Sequence, residues 1–411
     1  MRSLLFAALA LSTPVAGSAP DIYLTWQRDP TTTMTVCWQD GAAGPDHMNW
    51  RAEGSGAWQR AAASQQPMPH TDRTVSQVEL TGLQPDTAYE FRVGEAEKIR
   101  RFRTLPAQLD RPLTFLEGGD PQNGPAMEQM MRFAASRDPA FAIIAGDLMN
   151  DDGRPDYSGA VGHFFGLLGR NMVTSDGRHI PIIVCLGNHD VNRSDQSVID
   201  DTTLPRDDDA RRAMAPYFLT AWPFPGVRGY GVLDIGNYLS IVLLDTNHLN
   251  AVDGSQLDWL RETLSSRKEV PHLLPVYHVP AYPGVRDMRG EVSTLIREKW
   301  TPLFEQAGIR LAFEHHEHAF KVTHPLRGGK KSTDGIVYLG GGAMGIELRD
   351  PRDPANEPHL AKTAKVHHLH EVTIEPGQRT AVTRDINGTE IWRVEQEKQG
   401  AAGSRELGAK Q

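Results

Sequence analysis

Three histidines and two glutamates occupy residues 314–318, directly behind an apolar run that is typical of a strand leaving a protein core. Imidazole and carboxylate groups are common ligands of transition-metal ions. In an extended backbone, side chains two positions apart point the same way, so His316 and His318 can face one site while Glu317 points away. The stretch is therefore either part of a metal site whose other ligands lie elsewhere in the sequence, or a solvated histidine-rich loop.

Four further apolar runs end in side chains that could bind a metal. The runs and the residues that follow them are "LTFLEGG" before Asp120 and Gln122, "AFAIIAG" before Asp147, "PIIVCLG" before Asn188, His189 and Asp190, and "HLLPVY" before His278. In open α/β sheets, ligands bind beyond the carboxyl ends of the strands. Turn chemistry explains any one of these endings but not all five, so the pattern favours a metal site.

The elements that must position these side chains differ between two parts of the chain. In residues 111–393, continuous apolar strands alternate with helices, including one around residues 157–171 and one around 292–304, which predicts an α/β domain with parallel strands. Residues 20–106 instead contain about seven short strands separated by turns, which is typical of a β-sandwich.

One segment of the predicted sandwich strengthens this interpretation. "LTGLQPDTAYEFRVG" places Leu83, Pro85 and Tyr89 at the spacing of a tyrosine corner, in which the phenol bonds to a nearby backbone group. The segment resembles a fibronectin type III module. We therefore expect Trp26, Trp38 and Tyr89 in the core of the sandwich, although aromatic side chains of this kind could also bind a sugar.

The two ends of the chain carry different signals. Residues 1–19 have the pattern of a secretory signal peptide, with Arg2 before a short apolar run and small residues at its end. That run is too short to cross a bilayer, and no later run is long enough. Residues 394–411 are polar and are predicted to be disordered. We therefore expect a soluble protein that is periplasmic or secreted.

Charge and cysteine content narrow the classes of partner and compartment. The formal net charge is −9, and no basic stripe is present, which disfavours a nucleic-acid polymer as partner. Cys37 and Cys185 are the two cysteines, and both lie in apolar runs. We predict that they are buried unpaired thiols, and that the exported protein relies on its own core rather than on disulfides.

Taken in order, the five strand endings form a series GD, GD, GNHD, H and HxH. This series resembles the calcineurin-like metallophosphoesterase superfamily, and the sandwich in front together with "HVPAY" after the fourth motif is similar to the purple acid phosphatase branch. The resemblance implies a two-domain chain, in which a four-layer α/β/β/α domain follows the sandwich. It also implies hydrolysis of a phosphate mono- or diester by attack of a metal-bound hydroxide.

The resemblance further implies two adjacent metal ions, which could be Fe, Mn or Zn. The implied metal ligands are Asp147 as the bridge, Asp120, Gln122 and His318 around the first ion, and Asn188, His278 and His316 around the second. His189 would protonate the leaving oxygen, Asp190 would orient its imidazole, and Asn188, His189 and Tyr282 would contact the substrate. The expected partner is a small-molecule or lipid phosphate ester.

Three positions depart from the family pattern. Asn150 stands where purple acid phosphatases have a tyrosine, so we expect neither their colour nor a strong preference for ferric iron. Gln122 stands where the wider superfamily often has histidine, which predicts a weaker first metal site. His315 replaces the usual glycine, and it could support a ligand, contact the substrate or be a tolerated loop residue, the last being the preferred interpretation.

These departures leave a second hypothesis open, namely a non-catalytic adhesion or carbohydrate-binding protein that uses the sandwich. The two hypotheses differ in their dependence on Asp147. A phosphoesterase loses metal-dependent turnover when Asp147 is replaced, whereas binding through the sandwich does not change.

Overall fold

The computed structural model describes residues 20–41, 44–96, 98–192, 207–398 and the short strand 404–406. The predicted signal peptide at residues 1–19 lies outside these described residues. Among the helices of the described residues, none is both long enough and apolar enough to span a bilayer.

Residues 21–103 form two antiparallel sheets of four strands each. The strands are β1 (Asp21–Thr25), β2 (Met34–Gly41), β3 (His47–Ala52), β4 (Gln59–Ala62), β5 (Ser64–Pro67), β6 (Arg73–Leu80), β7 (Ala88–Val93) and β8 (Arg100–Arg103). The sheet orders are β1-β2-β6-β5 and β4-β3-β7-β8. The sequence predicts all of these strands except β5, which is polar and mostly exposed. The domain limits themselves stay a prediction.

The aromatic residues singled out in the sequence form part of the sandwich core. Trp26, Trp38 and Tyr89 are all buried, and the Tyr89 hydroxyl accepts a hydrogen bond from the backbone N–H of Gln84 at 2.8 Å. The tyrosine corner is therefore confirmed. Because the three rings are enclosed, they provide no platform for a sugar, and the carbohydrate-binding hypothesis loses the residues on which it rested.

The rest of the described chain is built on two larger mixed sheets and a short ribbon. The strands are β9 (Leu113–Gly118), β10 (Ala142–Ala145), β11 (Ile182–Cys185), β12 (Gly231–Ile235), β13 (Leu239–Leu244), β14 (His272–Tyr277), β15 (Leu311–Glu314), β16 (Phe320–Thr323), β17 (Leu326–Arg327), β18 (Lys330–Lys331), β19 (Val337–Gly340), β20 (Leu360–Ala364), β21 (His368–Ile374), β22 (Gln378–Asp385), β23 (Glu390–Glu397) and β24 (Ser404–Glu406). The sheet orders are β11-β10-β9-β21-β22-β23-β24 and β12-β13-β14-β15-β19-β16-β20, and β17 pairs with β18.

The helices of the described chain lie between these strands in sequence. They are α1 (Pro125–Ser136), α2 (Ser158–Asn171), α3 (Asp208–Met214), α4 (Pro216–Ala221), α5 (Ser255–Ser265), α6 (Glu291–Lys299) and α7 (Thr301–Gln306). The single helix predicted around residues 292–304 is in fact two helices, because α6 ends before Trp300 and Pro302 lies in the first turn of α7. Proline has no N–H to continue a helix but is well suited to begin one.

Alternating side chains of the buried strands divide the large domain into layers. In β10, Ile143 joins the cluster between the two sheets, while its neighbour Ile144 packs with α1 and α2 on the outer face of the first sheet. On the outer face of the second sheet, Val242 of β13 packs with Leu260 of α5 and Phe304 of α7. The predicted four-layer α/β/β/α architecture is therefore confirmed.

The predicted disordered tail is wrong at its beginning. Val394 is buried and pairs with Ala381 across β22 and β23, and β23 continues to Glu397. The side chains of β23 are mostly polar, so the sequence shows no apolar pattern from which to predict a strand. Its backbone groups are nevertheless satisfied by pairing. The backbone of β24 pairs in turn with β23. Residues 399–403 and 407–411 lie outside the described residues.

The two cysteines are both free and buried, as the sequence predicts. Cys37 lies on β2 of the sandwich and Cys185 on β11 of the first large sheet.

Candidate metal centre

The parallel strands of the two large sheets deliver polar residues to neighbouring ends. Strands β9, β10 and β11 are parallel, and Asp120, Asp147 and Asn188 follow them. Strands β14 and β15 are also parallel, and they are followed by His278 and His316. Because all five residues come after carboxyl ends, the two sheets can place them around one space.

The backbone at this edge is locally strained. Asp120, Gln122, Asp147, His316 and His318 all have positive φ angles, between 52° and 71°. Residues other than glycine seldom adopt this conformation, which costs roughly 1–3 kcal/mol each and is concentrated at functional sites. The loops therefore adopt a destabilising backbone conformation, which directs these side chains.

Five of the seven predicted metal ligands lie in two buried groups. Asp147, His278 and His316 form one group, and Asp120, Asp147 and His318 form the other, with the candidate ligand atoms of each group within 4.8 Å of one another. Asp147 belongs to both groups, which is the position expected of a bridging carboxylate. Asn188 is buried and shares a cavity wall with His316.

Individual contacts give the ring orientations. His278 Nε2 lies 3.2 Å from Asp147 Oδ2, and His318 Nε2 lies 3.3 Å from Asp120 Oδ1. His278 Nδ1 lies 3.0 Å from the carbonyl oxygen of Ala145. A carbonyl only accepts, so Nδ1 donates a proton to it and Nε2 is the ring nitrogen that faces the centre.

Three oxygens in the centre test whether metal ions fit. Asp120 Oδ1, Asp147 Oδ2 and Asn188 Oδ1 are buried and have no hydrogen bond of good geometry within the described residues, although the first two lie 3.3 and 3.2 Å from the imidazoles of His318 and His278. An unpaired buried acceptor costs about 1–3 kcal/mol, and more when it is charged. Carboxylate and amide oxygens beside imidazoles suit divalent cations of the first transition row, so the residues present fit the implied metals.

The charge balance of the centre leads to the same conclusion. Burial alone would lower the pKa of His278, but the negative charges of Asp147 and Asp120 outweigh it and raise the pKa to about 9. Burial would likewise raise the pKa of Asp147, yet the neighbouring His278 holds it well below its usual range. The buried carboxylates therefore favour positive charge close by, which cations can supply.

Gln122 lies two residues after Asp120 in the same loop and is half-buried. Its assignment as a ligand of the first metal stays a prediction. Asn150, at the position of the missing tyrosine, is also half-buried, with a φ of 50°.

The predicted role of Asp190 is wrong. Its carboxylate accepts the backbone N–H groups of Gly187, Asp147 and Leu148 at 2.8–2.9 Å, so both oxygens are used in joining two ligand loops. The imidazole of His189 is instead contacted by Asp152, with Nδ1 and Oδ1 2.6 Å apart. Asp152 was missed because an acidic pair after a strand is usually a solvated turn.

The predicted substrate contact of Tyr282 is also wrong. Only 3% of the residue is exposed, and its ring lies 4.6 Å from that of Tyr338 in the apolar cluster beneath the second sheet. Burying the aromatic ring in this cluster is more favourable than leaving it at the site. The cavity wall is formed by later residues of the same segment, including Arg286.

A cavity of about 400 Å³ opens beside Asn188 and His316. Thr246, Asn247 and His248 line it. These residues follow β13, so they form a sixth polar strand ending that sequence reasoning overlooked, although "DTNH" after "YLSIVLL" was a usable signal. This cavity therefore lies next to the candidate metal centre.

Arg286 lies in the cavity wall and is fixed by two neighbours. Its Nη1 donates to the carbonyl oxygen of His316 and lies 3.4 Å from Glu317 Oε1. Glu317 is buried and accepts backbone N–H groups of Gly284, Val285 and Arg286, consistent with its predicted direction away from the centre. A positive charge is thus held next to the ligand loop.

The preferred interpretation of His315 as a tolerated loop residue is wrong. Its side chain is buried, and Nε2 lies 2.7 Å from Oε1 of the buried Glu117. The pairing joins β9 and the loop after β15, which are far apart in sequence, so no local pattern could reveal it.

Gly342 forms another part of the centre that the sequence reasoning missed. It has a φ of +62°, and a Cβ at this position would lie 1.7 Å from Asp120 Oδ2. Only glycine fits this position. The signal was the run of three glycines at residues 340–342, which begins at the last residue of β19.

Two protein families match this chain. Residues 19–104 match the purple acid phosphatase N-terminal domain, and residues 115–320 match the calcineurin-like phosphoesterase family. The second match covers half of the chain and contains all six polar strand endings described above. The chain therefore belongs to the calcineurin-like phosphoesterase family.

Individual relatives are distant. Purple acid phosphatase 18 of Arabidopsis thaliana is 24% identical over 299 residues, which are 70% of this chain and 62% of that protein. An uncharacterized protein of Mycobacterium tuberculosis is 24% identical over 357 residues, which are 77% of this chain and 63% of that protein. The chain thus spans less than two thirds of the length of these curated relatives.

The structure of PhoD has a similar fold. It aligns with a TM-score of 0.71 over 97% of this chain and 94% of that chain, at 13% sequence identity. At this identity the likeness concerns the fold alone.

Proposed function

We propose that this chain is a metal-dependent hydrolase of phosphate mono- or diesters that uses two adjacent metal ions. The observation that carries the proposal is the pair of buried ligand groups that share Asp147. The buried oxygens of Asp120, Asp147 and Asn188 that lack a well-formed hydrogen bond within the described chain support it, because cations would satisfy them. Membership of the calcineurin-like phosphoesterase family supports the same reaction class.

The proposed ligands divide between the two ions as the resemblance implies. They are Asp147 as the bridge, Asp120, His318 and Gln122 for one ion, and Asn188, His278 and His316 for the other. Fe, Mn or Zn suits this mixture of oxygen and nitrogen ligands. When bound, such a pair activates water and neutralises charge on the phosphoryl oxygens.

His189 is the proposed proton donor to the leaving oxygen. Its side chain is 39% exposed, and Asp152 contacts Nδ1, so Nε2 is the ring nitrogen that can face a substrate. The backbone N–H of His189 donates to Asp147 Oδ1 at 2.7 Å, which fixes the residue next to the centre. General acids in such positions contribute roughly 10²–10⁴-fold to the rate.

Arg286 and the cavity are the proposed substrate-binding elements. The guanidinium lies beside the carbonyl of His316, where its charge can bind a phosphoryl oxygen. The cavity of about 400 Å³ would accept the organic part of a small-molecule or lipid ester.

We also propose export to the periplasm or the exterior. The support is the charged, apolar and small-residue order of residues 1–19. Amino-terminal sequencing of the protein recovered outside the cytoplasm should begin near residue 20. A protein that retains Met1 and stays in the cytoplasm would refute this part of the proposal.

The activity is tested with purified full-length protein that has been stripped of metal. Mn²⁺, Zn²⁺ and Fe²⁺ are added back in separate assays with nitrophenyl mono- and diesters. We expect metal-dependent turnover, reduced more than 100-fold in Asp147→Asn, because even contacts outside the ligands change activity by about 10–100-fold.

The matched control for this assay is Asp258→Asn, which alters an exposed aspartate on α5. It should leave turnover unchanged. Turnover that needs no metal, or that survives in Asp147→Asn, would contradict the proposal.

A further inference from the structure

A buried acid and a buried histidine lie directly behind the candidate ligands. Glu117 is on β9, three residues before Asp120, and His315 immediately precedes His316. Both side chains are almost fully enclosed, and His315 Nε2 lies 2.7 Å from Glu117 Oε1. The pair therefore connects the two loops that carry Asp120 and His316.

His315 is held on its other sides by the backbone. Its N–H donates to the carbonyl oxygen of His278 at 2.9 Å, and its Nδ1 lies 3.0 Å from the carbonyl oxygen of Tyr277. Because a carbonyl only accepts, Nδ1 carries a proton. Nε2 then faces a carboxylate oxygen of Glu117. The imidazole thus has one defined orientation.

The ring of His315 also fills the space next to the strand that leads to Asp120. A Cβ on Gly119 would lie 2.5 Å from His315 Cδ2. The next residue, His316, donates its backbone N–H to Asp120 Oδ2 at 3.0 Å. A shift of the His315 ring would therefore move both the backbone before Asp120 and the loop of His316.

Apart from His315, few polar groups of the described chain lie close to the carboxylate of Glu117. Within the described chain, neither of its oxygens has a hydrogen bond of good geometry, and His370 Nε2 lies 3.9 Å from Oε2. Burying such a pair is costly, and apolar residues of similar size are often equally stable or more stable. The stability of the fold alone therefore gives no reason for a carboxylate and an imidazole at these positions.

We propose that Glu117 and His315 are positioning residues that hold Asp120 and His316 in the geometry needed to bind metal. The inference rests on the proposed function, since it assumes that these residues are ligands. Groups that orient ligands from outside typically change metal affinity by about 10–100-fold. His315 stands where the family usually has a glycine before the last two histidines. Together with Glu117 it would give the ligand loop a specific support at that position.

The test is a double variant, Glu117→Met with His315→Leu, in the full-length chain. It keeps the buried volume and removes the polar contact. Thermal unfolding is measured without metal, and Mn²⁺ binding is measured by calorimetry and by metal content after dialysis against graded chelator. We expect the melting temperature of the metal-free double variant to equal or exceed that of the wild type, and Mn²⁺ affinity to fall by about 10–100-fold.

Two further variants make the result decisive. Glu117→Gln keeps the size and polarity of the side chain, so it tests the positioning role even if the double variant does not fold. It should also bind Mn²⁺ at least several-fold more weakly than the wild type. His272→Leu is the matched control, because His272 is a buried histidine that contacts the carbonyl of Glu375 at the opposite end of β14 from His278. It should bind Mn²⁺ as the wild type does.

The outcomes separate this inference from the proposed function. If the wild type binds two Mn²⁺ ions and the folded variants bind them equally well, the positioning role is refuted while the proposed function stands. If affinity falls only as far as it does in His272→Leu, the role is refuted as well. If the wild type binds none of Mn²⁺, Zn²⁺ and Fe²⁺, both proposals fail.

Discussion

At the scale of single residues, two aspartates near His189 have different tasks. Asp152 contacts the imidazole at 2.6 Å, whereas Asp190 is fully buried and accepts three backbone N–H groups from two ligand loops. The first aspartate therefore acts on the orientation of one side chain, and the second on the shape of the site.

This difference predicts that two similar substitutions affect different properties, one the rate of catalysis and the other the stability of the fold. Asp152→Asn should lower kcat by roughly 10–100-fold with little change in melting temperature, because the proposed proton donor loses its orientation. Asp190→Asn should lower the free energy of unfolding by about 3 kcal/mol, because an amide cannot accept all three N–H groups. Steady-state kinetics and thermal unfolding measure both effects, and equal loss of stability in the two variants would contradict the assignment.

Arg286 provides a second prediction at this scale. Arg286→Ala should raise KM for a phosphate ester about 10-fold or more, since a hydrogen bond to a charged group contributes roughly 1.5–3 kcal/mol. Arg289→Ala is the matched control, because Arg289 lies in the same segment, is 89% exposed and pairs with Asp287. An unchanged KM in Arg286→Ala would remove this residue from substrate binding.

At the scale of elements, the centre depends on how closely the loops after the strands approach one another. Gly342 follows β19, and its backbone lies against the carboxylate of Asp120. The carbonyl of the preceding Gly341 accepts the N–H groups of Glu317 and His318. The glycine loop thus joins the loops that carry the two proposed ligands, Asp120 and His318.

This contact predicts the effect of a single added methyl group. Gly342→Ala should abolish binding of at least one metal ion, because its Cβ would overlap Asp120 Oδ2 and the backbone has a φ of +62°. Metal content after dialysis measures the effect. The matched control is Gly377→Ala, because a Cβ at Gly377 meets nothing within 4 Å. Full metal content in Gly342→Ala would show that the loops are not packed as described.

The limits of sequence reasoning also appear at this scale. The endings with Asp120, Asp147 and His278 could be predicted because each follows an apolar run, and parallel strands end at the same edge. The pairing of His315 with Glu117 could not, because it spans 198 residues and leaves no local pattern. The burial of Tyr282 depends on the packing of α6 and α7 beneath the second sheet, which its short motif does not determine.

At the scale of the whole molecule, both large sheets contribute to one centre. Asp120 and Asp147 follow strands of the first sheet, whereas His278, His316 and His318 follow strands of the second. Ions bound between them would connect the two inner layers of the fold. The unfolded chain brings no such ligands together, so binding should stabilise the folded state.

This coupling predicts a dependence of stability on metal. Removing metal with a chelator should lower the melting temperature, and adding Mn²⁺ or Zn²⁺ should restore it, with a gain of about 4 kcal/mol at a free concentration 1,000 times Kd. Thermal unfolding with and without chelator measures the effect. In Asp147→Asn the gain should be largely lost, and an equal gain in that variant would place the metal elsewhere.

The central claim is that two ions share Asp147, and a crystal structure of the metal-loaded protein with anomalous scattering tests it most directly. We predict two peaks roughly 3.5–4 Å apart, both in contact with Asp147, one beside Asp120 and His318 and the other beside His278 and His316. A centre without ions in a metal-loaded crystal, or a single ion that does not touch Asp147, would contradict the account.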